Sequence, residues 1–193
     1  MKKWLFLGLS AWLGTANATP VNELGDAGSL TGSAQTIGAG VSTITGSTGP
    51  NDTEDLYGFT WGGGLFEAAT NGLFGSSRDF DTMLFLFDSA GTFIAANNDT
   101  FDGINFNLGS LISETLVAGD YFLGISGFSN DAENSLNSEF RFGATGVLDH
   151  WEGSGSTGNY TIGIAQNVPE PTSIALFGLG LAGLGLSRRK KSA

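Results

Sequence analysis

The sequence predicts an all-β fold: a single antiparallel β-sandwich, jelly-roll-like, flanked by an N-terminal signal helix and a short C-terminal transmembrane helix. Three observations carry this. Between Thr19 and Gln166 no apolar pattern recurs at helical spacing over a useful length. Short runs rich in aromatic and β-branched residues recur instead, separated by clusters of Gly, Asn, Asp and Ser. Within those runs residues alternate, as in Tyr57, Phe59 and Trp61, in Tyr121, Leu123 and Ile125, and in Tyr160, Ile162 and Ile164. Each set would line one face of a strand.

At 193 residues the chain accommodates one ordinary domain plus signals. Residues 1–18 place Lys2 and Lys3 before an apolar run from Trp4 to Leu13 and end in Ala16-Asn17-Ala18. That is the layout of a secretory signal peptide cut after Ala18. A buried N-terminal helix would need polar positions at i+3 and i+4, and the run has almost none. The other end, residues 167–193, holds Pro169-Glu170-Pro171, an apolar and Gly-rich stretch over 172–187, and Arg188, Arg189, Lys190 and Lys191. Sixteen helical residues span about 24 Å, somewhat short of a ~30 Å hydrocarbon core. The four long basic side chains extend the reach by snorkelling, and they hold the C-terminus on the cytoplasmic side of the inner membrane. Two prolines around one acid keep the triplet extended and open to an enzyme at the membrane face.

Between these ends lies the ectodomain, residues 19–166. Over 19–170 the chain has two basic residues, Arg78 and Arg141, against nineteen acidic ones, a formal charge of −17. Such a surface repels nucleic acid and anionic lipid, so neither is expected as a partner of this domain. It favours solubility and cations. There is no cysteine. Disulfide stabilisation and cysteine catalysis are both excluded, and the domain must rest on its core or on bound metal ions.

Taken in order, Gly25–Gly49 is poorly patterned and reads as long loops or weak edge strands. The clearest hairpin joins Met83–Phe87 to Thr92–Ala95 through Asp88-Ser89-Ala90-Gly91, whose first Asp and last Gly suit a type I turn. A second turn is expected at Val117-Ala118-Gly119-Asp120, between Leu111–Leu116 and Tyr121–Ser126. Ser129–Ser138 is poorly patterned too and again reads as long loop or weak edge strand. Thirteen of the fifteen Phe fall in this region, which predicts a core of large rings set over a Gly-rich frame.

Carboxylates supply the candidate chemistry. Asp79 and Asp81, two apart on a strand, would share a face within about 7 Å, where like charges repel unless one is protonated or a cation intervenes. Asp99 and Asp102 follow the hairpin, and Asp52, Asp55, Glu23 and Asp26 form a second acidic group; oxygen donors of this kind are what Ca²⁺ selects. The competing reading is that Asp and Asn merely cap turns. No EF-hand spacing occurs. His150 is the single histidine, with no Gly-x-Ser-x-Gly elbow and no second histidine, so the chain is read as no enzyme. Trp61 and Trp151, near glycines, are candidate platforms for a sugar ring; closing the ends of the core is the alternative role for both.

The tail "VPEPTSIALFGLGLAGLGLSRRKK" resembles the PEP-CTERM sorting signal of Gram-negative bacteria in all three of its parts. The resemblance implies recognition by the membrane-embedded peptidase exosortase after passage through the export machinery, with cleavage near Pro169-Glu170-Pro171. It also implies a link to exopolysaccharide and biofilm production. A permanent tail anchor is the alternative. The middle region resembles bacterial pre-peptidase C-terminal (PPC-like) domains through "VNELGDAGSL", "NDTEDLYGFTW", "DFDTMLFLFDSAGTFIAANND", "LVAGDYFLGISGF" and "GNYTIGI". This chain departs from that pattern by inserting "GGGLFEAATNGLFGSSR" and a loop through Asp149-His150-Trp151. The resemblance implies a compact β-sandwich, in some cases with calcium held by acids near the equivalents of Glu23 and of the hairpin. The expected protein is therefore tethered briefly in the inner membrane and then placed at the cell surface or outside the cell, with a structural or adhesive role. A carbohydrate-binding module is the alternative, and a secreted hydrolase a further one.

Overall fold

The computed structural model describes residues 19–101 and 103–165. The signal helix (1–18), the transmembrane stretch (172–187), Pro169, Glu170, Pro171, the four terminal bases and Asp102 lie outside the described residues. Thirteen strands appear among the described ones: β1 (Thr19–Asn22), β2 (Gln35–Gly38), β3 (Val41–Ser47), β4 (Glu54–Ala69), β5 (Ser77–Arg78), β6 (Thr82–Asp88), β7 (Phe93–Asn97), β8 (Thr100–Phe101), β9 (Phe106–Asn107), β10 (Leu111–Gly127), β11 (Asn130–Glu133), β12 (His150–Gly153) and β13 (Asn159–Ile164). The only helical elements among these residues are two 3₁₀ turns, Leu73–Gly75 and Phe140–Phe142. The all-β expectation holds.

Two long strands organise the sheet. β4 and β10 pair antiparallel from Leu111 opposite Ala69 to Ser126 opposite Glu54, in one unbroken register. The N-terminal half of β4 carries β2, and the C-terminal half of β10 carries β6 and then β7. The other half of β4 carries β13, then β3 and β1. The two halves face each other, because the apolar side chains of β3 and β13 (Val41, Ile44, Ile162, Ile164) share one core with Tyr57, Leu84, Leu86, Leu123 and Ile125. The pairings are antiparallel except β1 with β3 and β2 with β4, which are parallel.

The turn expected at Val117–Asp120 is not there, since β10 runs through it. The chain bends there instead. Opposite those residues sit Gly62, Gly63 and Gly64, with Gly63 and Gly64 at φ of +92° and +95°. Glycine takes that conformation at no steric cost, so the ribbon folds over without losing register. "GGGLFEAA" is accordingly the second half of β4, with Phe66 fully buried. β3 is likewise an internal strand of the sheet, although its sequence reads as a weak edge.

The Met83–Phe87 hairpin forms as expected, with Gly91 at φ +79° and Asp88 Oδ1 accepting from Ala90 N (2.9 Å) and Thr92 N (2.8 Å). β6 is apolar without alternation because both of its faces are covered. Leu84 and Leu86 enter the inter-sheet core. Met83, Phe85 and Phe87 face a second core with Leu56, Ala132, Phe140 and Leu148. The excursion 128–158 closes that second core through β11, paired with β12, and the Phe140–Phe142 turn. Part of Ser129–Ser138, expected as long loop or weak edge strand, is thus the short strand β11 of a two-stranded sheet, and all four of its residues are buried.

Candidate cation site

The two parallel pairings lie at the same end of the domain as its densest group of acids. β1 ends at Asn22, and Glu23 continues its pairing by donating its backbone N–H to Thr45 O (2.8 Å). The Glu23 carboxylate turns inward, where Oε2 accepts from Ser47 N at 2.8 Å. A Cβ on Gly46 would lie 2.6 Å from that oxygen and closer still to the Tyr160 hydroxyl, so only glycine lets both approach the strand. The other Glu23 oxygen, Oε1, is shielded from solvent and has no partner.

Asp55 comes from the start of β4. It shares an inward face with Tyr57 and Phe59, and it is fully buried. Oδ2 accepts from the Tyr160 hydroxyl (2.6 Å) and Oδ1 from Ala27 N (3.3 Å). Because Tyr160 gives its proton to Asp55, the 2.6 Å contact between the two tyrosine oxygens is a bond donated by Tyr57. Burial pushes both phenols well above their ordinary range, and the Asp55 charge adds to it. Asp52 sits in the turn after β3, closed by Gly49 N donating to Asp52 O (2.6 Å).

Carboxylate oxygens of Glu23, Asp52 and Asp55 all lie within 4.8 Å of one another. Asp26 lies against the group, its Oδ1 accepting from Gly28 N, and with Asn51, Asp52 and Glu54 it lines a polar cleft of about 270 Å³. Burial, then the charges of Asp26, Glu23 and Glu54, push the Asp52 carboxyl up to about 6. Burial, with the charges of Glu23 and Asp52 adding to it and the bonds from Tyr160 and Ala27 opposing, pushes Asp55 up to about 7. Neither of the domain's two arginines contributes there. The donors are all oxygen, with no His or Cys among them, which suits a hard cation such as Ca²⁺. Glu23 Oε1, buried and unpaired, is where such an ion would find a vacant ligand.

The other predicted acidic set, Asp79, Asp81 and Asp99, assembles only in part among the described residues. Asp79 and Asp81 lie in the bend between β5 and β6, not on a strand. The Asp79 carboxylate is occupied by Asn159, accepting from its N at 2.7 Å and its Nδ2 at 2.9 Å. Asp81 is raised by burial and by the charge of Asp99, with Arg78 opposing, so those two acids are neighbours. Trp61 meets Phe66 edge-on (5.2 Å), and Trp151 meets Phe85 in the same way while its Nε1 donates to Ser29 O at 2.7 Å. His150 approaches Asp149 (3.2 Å) and Glu133 (3.5 Å).

Tyr57 and Tyr160 escaped the sequence reading as site residues, since alternation marks them only as core. The available signal was Asp55 two positions before Tyr57: a carboxylate on an inward face demands a donor.

Among the described residues no helix is long and apolar enough to cross a membrane. No curated protein matches the chain. Among solved structures it is similar to the pre-peptidase C-terminal domain of collagenase from Bacillus anthracis, with TM-score 0.39 and 15% identity, covering 68% of this chain and 93% of that one. It is also similar to PliG of Aeromonas hydrophila, a periplasmic inhibitor of g-type lysozyme, with TM-score 0.31 and 12% identity over 77% and 97%. Likenesses at these scores carry no functional weight, and the sandwich rests on its own strand pairings. Residues 167–190 match the PEP-CTERM protein-sorting motif. The chain therefore carries the tail of an exported protein that is sorted by an exosortase at the membrane.

Proposed function

We propose that the chain is a structural or adhesive component of the cell surface or extracellular matrix, associated with exopolysaccharide and stabilised by calcium. The PEP-CTERM motif is the observation that supports the route. On this reading residues 1–18 are removed on export. The stretch 172–187 holds the chain briefly in the inner membrane with Arg188–Lys191 inside, and exosortase cuts near Pro169-Glu170-Pro171. The domain 19–166 then acts outside the cell by binding, without catalysis. Mass spectrometry of both termini of the protein recovered from its host tests this: the expected N-terminus is Thr19 and the expected C-terminus lies near Pro171. An intact chain in the cytosol refutes it.

Glu23, Asp26, Asp52 and Asp55 would hold the calcium ion, whose role is to neutralise carboxylates that the fold brings together. Glu23 ties β1 and β3 to the site, and Asp55 ties in β4 and, through Tyr160, β13. Occupancy thus fastens the N-terminal strand of the mature protein to the sandwich. A melting temperature at pH 8 that is the same in EDTA and in millimolar calcium removes this part of the reading and leaves the sorting route standing.

A further inference from the structure

A cleft of about 490 Å³ opens where β4 ends and β10 begins, walled by Leu73, Asn97, Asp99, Phe101 and Leu111. That volume is in the range of small-ligand sites. Phe101 is 59% exposed and Phe106 is 75% exposed, and their rings pack at 5.0 Å and 38°. Phe106 therefore braces Phe101 at the rim, and an aromatic surface stands in water beside a hollow lined by both apolar and polar side chains. In the wall, Asp99 Oδ2 accepts from Asn98 Nδ2 (3.0 Å), while Asp99 Oδ1 is shielded from water and has no partner. The Asn97 amide is oriented by its Oδ1 accepting from Leu111 N (2.9 Å), which leaves its NH₂ group as a donor.

These groups make opposite demands on a ligand. The ring asks for an apolar face, and the carboxylate oxygen asks for a hydroxyl or amine proton. A sugar unit meets both, with C–H groups on one face and hydroxyls around its edge. Anionic sugars are disfavoured by a domain this strongly negative, and a purely apolar ligand would leave Asp99 unsatisfied. We propose that this cleft binds a neutral glycan, with one sugar unit against Phe101, a hydroxyl donating to the Asp99 carboxylate, and Asn97 Nδ2 donating to a sugar oxygen. None of Glu23, Asp26, Asp52 or Asp55 lines the cleft, so the site is separate from the cation cluster and goes beyond the sorting route.

The test uses the full chain in detergent micelles, passed in EDTA over immobilised dextran, a β-1,3-glucan and a galactomannan, with alginate as the anionic contrast. Retention on at least one neutral polysaccharide is expected, weakened at least tenfold in Phe101→Ala and in Asp99→Asn and kept in Phe101→Tyr. Melting curves establish that each variant is folded; if Phe101→Ala is not, Asp99→Asn decides. Retention on none of the three, equal retention by Asp99→Asn, or preference for alginate each overturns the proposal. Terminal masses and calcium-dependent melting are unaffected by those outcomes, so a failure here is distinguishable from a failure of the sorting or calcium readings.

Discussion

Calcium and protons compete for the same carboxylates, and the competition has a definite sign. Asp55 stands near pH 7 in the folded protein against an ordinary value of 3.8. Its folded state therefore holds a proton that the unfolded chain releases near pH 4. The stabilisation from that proton is fully present below pH 4 and is lost as pH rises toward 7. At about 1.4 kcal/mol per pH unit, ionising this fully buried group without a counter-ion forfeits about 4 kcal/mol. Asp52, raised to about 6, acts in the same direction. The cation-free protein is thus expected to melt lower at pH 8 than at pH 5, the reverse of a domain held by ion-paired carboxylates. Calcium at 100 times its dissociation constant restores about 2.7 kcal/mol, or roughly 5–10 °C for a domain of this size. Calorimetry at pH 5 and pH 8, each in EDTA and in excess calcium, reads all four corners. The calcium increment should be large at pH 8 and small at pH 5, and Asp55→Asn should flatten both dependences. A melting temperature in EDTA that rises from pH 5 to pH 8, or a calcium increment independent of pH, refutes the reasoning.

Three further outcomes follow from packing. Gly46→Ala drives a methyl group into the Tyr160 hydroxyl and Glu23 Oε2, so about 1–3 kcal/mol is lost in urea unfolding and the calcium increment shrinks with it. Phe85→Ala empties a fully buried position touched by Phe87 and Trp151; a loss of about 3–5 kcal/mol is expected, with near-ultraviolet circular dichroism of Trp151 changed as well. Asp88→Ala removes the acceptor for two turn N–H groups and should cost about 1 kcal/mol by the same denaturation assay, with calcium response unchanged.

Much of the fold was legible because period and composition are local. The inward set Tyr121, Leu123 and Ile125 follows from alternation, and all three are core residues. The Asp88–Gly91 turn follows from residue chemistry in the same way. The Val117–Asp120 misreading has an equally physical cause. Ala-Gly-Asp is ordinary turn composition, and what keeps β10 extended is its partner Gly62–Gly64, more than fifty residues earlier, which absorbs the bend. The Phe85 and Phe87 face could not be assigned locally either, since a strand covered on both sides shows no alternation.

Sequence alone determined the sorting tail and the electrostatics: a Pro-Glu-Pro motif near the C-terminus, and an acidic domain without cysteine. Those properties depend only on which residues occur and in what order. Tertiary structure decided which acids matter. Glu23, Asp52 and Asp55 converge because β1 lies parallel to β3 while β13 brings Tyr160 across to Asp55, whereas Asp79 is taken up by Asn159. Carboxylates on separate strands meet only through strand pairing, and no spacing along the chain encodes which strands pair.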